Sequence, residues 1–342
     1  MRMIQLERLG VVLQPEPGQD RAYCLGRRGE YAKYNAGMAL DVQTGDRVHM
    51  LYRYGRNLPA EDFRPEGMSP YAMDCIGYAA LTPEGKLLRD EGVVYAPREE
   101  RELSGCQDPR ITWFEGWYVV TYCAWDINQV PAGCDKPRMA FARTRDFHTF
   151  EHLGIVDHFS FDKDHYIFPE RIGGKICLVH RVVPDIQFDY FDSFESLFAW
   201  PGWHDYRAQS RKSTVLQGAF DWEGGKIGGS APPIRTRDGW LFLYHGVENL
   251  PPESGFPFRY CAGAALLDGE NPERVIARLP YPILRPEAPY EVYGDVGNVV
   301  FPVGAYVYGG ALYVSYGGAD KVTALARCGL DDLLAELKRH PV

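Results

Sequence analysis

Apolar and polar positions alternate with a period of two along most of this chain, and the alternating runs come in pairs separated by glycine turns. The period is that of half-buried strands, and the paired arrangement is that of β-hairpins. One such phrase occurs five times: "NAGMALDVQTGDRVHMLYRYG" (35–55), "DPRITWFEGWYVVTYCAW" (108–125), "FPERIGGKICLVHR" (168–181), "APPIRTRDGWLFLYHGV" (231–247) and "FPVGAYVYGGALYVSYGGAD" (301–320). The predicted turns are Thr44-Gly45, Glu115-Gly116, Gly173-Gly174, Asp238-Gly239 and Gly309-Gly310, pairs that accept the positive φ of tight hairpins. Aligning Tyr52, Tyr122, His180, Tyr244 and Tyr316 gives steps of 70, 58, 64 and 72 residues. A repeat of about 65 residues holds two more strands than the hairpin itself, which is the content of a four-stranded propeller blade. The expected fold is therefore all-β, a five-bladed β-propeller. Helical spacing occurs only at the end, in "LDDLLAELKRH" (330–340), with acids early and bases late. No linker or low-complexity tract interrupts residues 1–342, so a single domain is expected, with residues 1–30 as a connecting or closing segment.

Composition sharpens this picture in two ways. The 22 Tyr, 17 Phe and 7 Trp suit an aromatic β-core, and they also suit sugar binding by ring stacking. A net charge of −9 argues against nucleic acid and anionic membranes as partners, and it obliges any anionic substrate to find a local basic pocket. The N-terminus has no apolar core of signal-peptide type, and no run is long enough to span a bilayer. Eight scattered cysteines without a CxxC pair, several inside strand-like runs, fit reduced buried thiols and a cytoplasmic location.

The repeat register groups Asn35, Asp108, Glu170 and Lys226 near the starts of inner strands, and Arg53, Arg181, His245 and Asp320 near hairpin ends. Many are polar residues inside apolar phrases, where burial without a partner costs several kcal/mol, so their excess points to a site. His148 and His152 stand four apart, but no third ligand or Glu pattern accompanies them, and no metal is expected. "GGKIGG" around Lys226 lacks the spacing of a phosphate-cradling P-loop.

The phrases "GCQDPRI", "KDHYIFPERIGGK", "HR", "KIGGSAPPIRTRDGWLFLYHGV" and "GNVVFPVG…LYVSYGGAD" together resemble the signatures of glycoside hydrolase family 130, over about residues 30–325. The resemblance implies five-bladed propeller enzymes, mostly phosphorylases of β-mannosides. It implies that Asp108 is the general acid, protonating the leaving oxygen through a mannose hydroxyl. Arg181, Lys226 and His245 would be the phosphate-binding bases. Asn35 and Asp320 would be sugar ligands, and Arg53 a further candidate. The role of Asp164 stays open. Gln107 stands where the family usually has Glu; losing that charge should lower the pKa of Asp108 relative to relatives that keep it.

Inverting cleavage needs an acid for the leaving oxygen and a nucleophile on the opposite face. Water would need a carboxylate base, whereas phosphate needs only cations and donors to hold it. The expected reaction is thus reversible phosphorolysis of a β-mannoside to α-mannose 1-phosphate, with inorganic phosphate as co-substrate and no cofactor. The alternatives are an inverting β-mannosidase, with Glu170 or Glu248 as base, and a non-catalytic carbohydrate-binding propeller. Linkage and acceptor sugar are left open and assigned to loops 55–74 and 182–206, the latter an acceptor wall or an oligomer contact, and a homo-oligomer stays open.

Overall fold

The computed structural model describes residues 3–15, 20–22, 28–30, 32–55, 74–102, 105–125, 137–156 and 162–342. Strand β1 (Glu7–Leu13) precedes a short hairpin of β2 (Asp20–Ala22) and β3 (Arg28–Glu30). A meander of β4 (Ala32–Leu40), β5 (Val48–Gly55), β6 (Asp74–Leu81) and β7 (Leu87–Tyr95) follows. The next comprises β8 (Gly105–Phe114), β9 (Trp117–Trp125), β10 (Arg138–Thr144) and β11 (Phe150–Ile155). A parallel bridge from Asp74 to Gly105 links these two into one sheet. The third unit is β12 (Asp162–Ile167), β13 (Ile176–Val182), β14 (Asp185–Phe191) and β15 (Thr214–Leu216). The fourth is β16 (Lys226–Gly229), β17 (Ile234–Thr236), β18 (Gly239–Asn249), β19 (Phe258–Leu267) and β20 (Val275–Arg278), with β16 and β17 both paired to β18. The fifth is β21 (Val300–Tyr308), β22 (Ala311–Gly318) and β23 (Val322–Gly329), completed by β1 from the start of the chain.

The fold is mostly β, as the alternation predicts, and each of the five expected glycine turns lies between paired strands. Short helices α1 (Phe194–Phe198), α2 (Tyr206–Gln209) and α3 (Pro289–Val292) sit in connections. The terminal helix α4 (Leu330–Leu337) is three residues shorter than expected and buries Leu333, Leu334 and Leu337.

Cores form between consecutive units. Leu51 and Tyr78 of the first pack with Ile111 and Val120 of the second, Val119 and Phe141 of the second with Ile167 and Leu178 of the third, and Phe188 of the third with Phe242 of the fourth. Leu243 of the fourth packs with Val314 of the fifth, and Tyr313 of the fifth with Met38 and Met50 of the first. The aromatics of 182–206 belong to this scheme. Trp203 and Tyr206 are buried between the second and third units with Phe194, Phe198 and Trp200 against them, so packing accounts for these five aromatics of the segment.

The aligned aromatic has one job in all five units: its polar tip meets a buried or half-buried carboxylate. Tyr52 Oη donates to Asp90 (2.6 Å), Tyr122 to Glu102 (2.7 Å), Tyr244 to Glu223 (2.7 Å) and Tyr316 to Glu291 (2.8 Å), while His180 Nε2 lies 2.9 Å from Asp189. Each carboxylate has further donors, such as Lys33 on Asp90, Arg278 on Glu223 and Arg8 on Glu291. Where the carboxylate is buried, as at Glu102, Glu223 and Glu291, removing the hydroxyl leaves a charged group short of a partner. Tyr244→Phe, which deprives both Glu223 and Arg278 of a partner, is expected to cost about 1–3 kcal/mol in denaturant unfolding. An unfolding midpoint equal to wild type would refute this role.

Candidate active site

Three consecutive units place a polar residue at an irregularity in their first strand. The pairing register slips between Tyr34 and Gly37, between Gln107 and Arg110, and between Lys163 and Tyr166. Inside the slips Asn35, Asp108 and Asp164 take φ of 51°, 54° and 60°, the left-handed region that non-glycine residues avoid. Such bulges bend the strand and re-aim a side chain, and here they turn all three into one cavity. Strain of order 1–3 kcal/mol per residue persists only where the surroundings hold it. Arg110 supplies that hold: buried, it donates to the carbonyls of Asp108 (3.1 Å), Gly229 (3.2 Å) and Ser230 (2.7 Å), and to Asp164 Oδ1 (3.1 Å). The Pro-Arg pair after Asp108 is therefore a brace, with Arg110 tying the second unit to the third and fourth.

The cavity, about 330 Å³, is lined by all seven residues expected from the sequence: Asn35, Arg53, Asp108, Arg181, Lys226, His245 and Asp320. Arg53, Arg181 and His245 each follow the aligned aromatic by one residue, so the strand's alternation sends them to the same place. One end is a carboxyl group with its partners. Asp108 Oδ1 accepts from Asn35 Nδ2 at 2.8 Å, and Arg53 Nη1 lies 3.5 Å away. Asn35 Oδ1 is buried with no partner. Burial opposes ionisation of Asp108, but Arg53, Lys163 and the Asn35 amide outweigh it and hold the carboxyl below its ordinary value. Asp320 goes the other way: burial and the nearby Asp108 charge push it up to about 6, against Arg53.

The other end is basic. Asp164 is its counter-ion: Oδ2 lies 3.1 Å from Arg181 Nε and 3.7 Å from His245 Nε2, while Oδ1 meets Arg110. Burial disfavours the carboxylate, yet Arg181 and Arg110 hold it well below the usual range. Gly228 makes the meeting possible, since a Cβ there would stand 2.5 Å from both Asp164 Oδ2 and the His245 ring. Burial and neighbouring cations depress the proton affinity of Lys226 and His245 in different degree: Lys226 falls to about 8, chiefly by burial and Arg181, and His245 to about 3, chiefly by burial. Of the three expected cationic holders, His245 is thus the one whose charge the empty cavity opposes; its ring stacks on Tyr260 and tilts against Phe301, with neither ring nitrogen hydrogen-bonded.

Other sequence expectations part from the structure. Glu170 and Glu248 do not line the cavity: Glu170 sits at an exposed turn near Arg235, and Glu248 pairs with Arg259 at 2.6 Å. Residues 56–73, most of one proposed acceptor loop, lie outside the described residues, and of loop 182–206 only Val183 reaches the cavity. Lys163, Trp125 and Tyr260 were not singled out, although all three line it. Lys163 stands beside Asp164 in "DKDHY", its ammonium 4.8 Å over the Trp125 ring, and its charge acts on Asp108, Asp164, Asp320 and Lys226 alike. Trp125 was legible as the residue three beyond Tyr122, matching Val183 three beyond His180. Among the described residues no group of three metal-ligating side chains occurs, and no helix is long and apolar enough to cross a membrane.

The geometry can therefore do two things in one cavity: exchange a proton at Asp108, and hold an anion at Arg181 and Lys226. Comparison with known proteins agrees with that pairing. Residues 31–339 match the family model described as beta-1,4-mannooligosaccharide phosphorylase. A 1,2-beta-oligomannan phosphorylase of Thermoanaerobacter sp. (strain X514) is 33% identical over 286 residues, 83% of this chain and 86% of that protein. A beta-1,4-mannooligosaccharide phosphorylase of Ruminococcus albus is 32% identical over 238 residues, 68% of this chain and 65% of that one. The solved beta-1,2-mannobiose phosphorylase of Listeria innocua superposes with a TM-score of 0.73 at 25% identity, covering 98% of this chain and 99% of its own. With the match running through nearly every strand that builds the cavity, the chain belongs to glycoside hydrolase family 130 and is an enzyme of the phosphorylase class.

Proposed function

We propose that this enzyme cleaves a β-mannoside with inorganic phosphate, inverting the anomeric centre to give α-mannose 1-phosphate and a shortened sugar, and that the reaction runs in both directions. The observation that carries the reading is the division of one cavity into a carboxyl end and a basic end. The five cores, the last joining the fifth unit to the first, support a five-bladed propeller with this cavity on its axis.

Phosphate sits between Arg181 and Lys226, accepts from the His245 ring and meets the Lys163 charge. The mannosyl ring lies against Asn35, Asp108 and Asp320, where the unpartnered Asn35 Oδ1 takes a sugar hydroxyl. A phosphate oxygen attacks the anomeric carbon as the bond to the leaving oxygen breaks on the opposite face, and that oxygen takes a proton from Asp108 through a mannose hydroxyl. Asp108 is ionised in the empty cavity. The phosphate dianion offsets the cations that hold it so, and Asp108 takes up a proton as the site fills; the proton it passes to the leaving oxygen is balanced by the one the hydrogen phosphate sheds on becoming the sugar phosphate dianion. Hydrolysis would need a carboxylate to activate water opposite the leaving group. Glu170 and Glu248 stand outside the cavity, Asp320 lies at the same end as Asp108, and Asp164 is committed to Arg110 and Arg181.

The test is cleavage of β-1,2- and β-1,4-mannobiose with and without phosphate, followed by NMR of the anomeric signals. Cleavage that depends on phosphate and yields the α-configured mannose 1-phosphate is expected. Equal cleavage in both conditions, or a β-configured product, would overturn the reading.

A further inference from the structure

Behind the carboxyl end lies a second, buried acid that is not part of the cavity lining. Asp74, 2% exposed, receives Arg53 along one full edge: Nε donates to Oδ1 and Nη2 to Oδ2, both at 3.0 Å. Gln107 Nε2 donates to the same Oδ2 at 2.8 Å. The one remaining nitrogen, Arg53 Nη1, faces Asp108 at 3.5 Å, beyond a good hydrogen bond. The Tyr34 ring lies 4.8 Å from the guanidinium.

We propose that Asp74 and Gln107 are positioning residues that hold Arg53 back from Asp108, so that Asp108 can carry a proton during turnover. This rests on the phosphorolytic reading above, in which Asp108 supplies the proton. A guanidinium docks on a carboxylate by two parallel bonds whenever geometry allows. Without Asp74, Arg53 would close on Asp108 in that manner and lock it as a carboxylate. Gln107 keeps Asp74 available for the task. A carboxylate at 107 cannot donate to Asp74 Oδ2; it would have to draw back from that oxygen and would stand as a second negative charge near Arg53 and Asp108. Asp108 also faces Asn35 from β4, Lys163 from β12, Arg110 on its own strand and Asp320 beyond β22, and Cys106 lies beside Asp74. These groups stay in place when residue 74 or 107 is changed.

Two variants with opposite expected signs test this. In Asp74→Asn, kcat falls and the high-pH limb of the rate profile moves down by about one unit, with KM for phosphate within about twofold of wild type. In Gln107→Glu, the added charge moves that limb up by a similar amount. Pure loss of stability would lower activity without moving the limb, and should Asp74→Asn not fold, the near-isosteric Gln107→Glu decides. A second readout needs no substrate: titration of the Asp108 carboxyl carbon by 13C NMR, its signal identified by its absence from Asp108→Asn. It should titrate higher in Gln107→Glu than in wild type. If mannoside cleavage ignores phosphate, the phosphorolytic reading fails while this titration still judges the positioning. Profiles and titrations superimposable on wild type would overturn it.

Discussion

Asp108→Asn is expected to lower the phosphorolytic rate by about three orders of magnitude, within the 10²–10⁴ span that a positioned acid contributes. The substitution conserves shape. The amide oxygen it introduces can still accept from Asn35, and an asparagine sits in the left-handed bulge with less strain than most residues. What disappears is the proton carried toward the leaving oxygen. Phosphate binding, assigned in the proposed reaction to Arg181, Lys226 and His245, should survive, so the kinetic signature is a collapsed kcat with KM for phosphate nearly unchanged. The variant also separates catalysis from recognition, because a purely sugar-binding protein would have no turnover to lose. If it retained more than a tenth of wild-type kcat at every pH, Asp108 would not be the acid. Asp320, whose carboxyl takes up a proton near pH 6, would be the group to examine next.

The strands and turns were readable along the chain because period-two alternation and glycine pairs are local signals. The aligned aromatic was readable too, but not its purpose. The carboxylates that meet Tyr122 and Tyr244 lie 20 and 21 residues upstream, those of Tyr52 and His180 lie downstream, and no fixed spacing announces them. The seven residues that line the cavity as expected were legible because each sits at a repeat landmark or inside a family phrase. The bulges that aim Asn35, Asp108 and Asp164 were invisible, since these first strands are buried on both faces and read as near-continuous runs in which the break of alternation at one extra residue does not stand out. The opposition of the cavity to a charge on His245 was hidden for a different reason. The ring's burial comes from Tyr260 and Phe301, contributed by other strands, and a sequence shows a histidine without the surroundings that oppose its charge. The role of Asp164 stayed open for the converse reason: two buried arginines need a counter-ion, and only the packed structure shows that Arg110 and Arg181 share it.

That shared counter-ion makes Arg181 the residue whose loss should be felt twice. In Arg181→Ala, KM for phosphate is expected to rise about a hundredfold, equivalent to about 2.7 kcal/mol, as befits removing a buried guanidinium that faces both the anion and the Asp164 carboxylate. Asp164 keeps Arg110 at 3.1 Å but loses the neighbour on its other oxygen, so the fold should also lose roughly 2–3 kcal/mol, the lower part of what a broken buried pair costs. The two losses can be told apart. Arg181→Lys restores a positive charge without the planar fork, and it should recover much of the stability but only part of the phosphate affinity. High phosphate should rescue the rate of the alanine variant without restoring its unfolding midpoint in phosphate-free buffer. Saturation kinetics in phosphate, paired with denaturant unfolding in its absence, measures both. A variant that unfolds earlier yet keeps the wild-type KM for phosphate would leave Arg181 as a brace for Asp164 alone, and would move the phosphate to Lys163, Lys226 and His245.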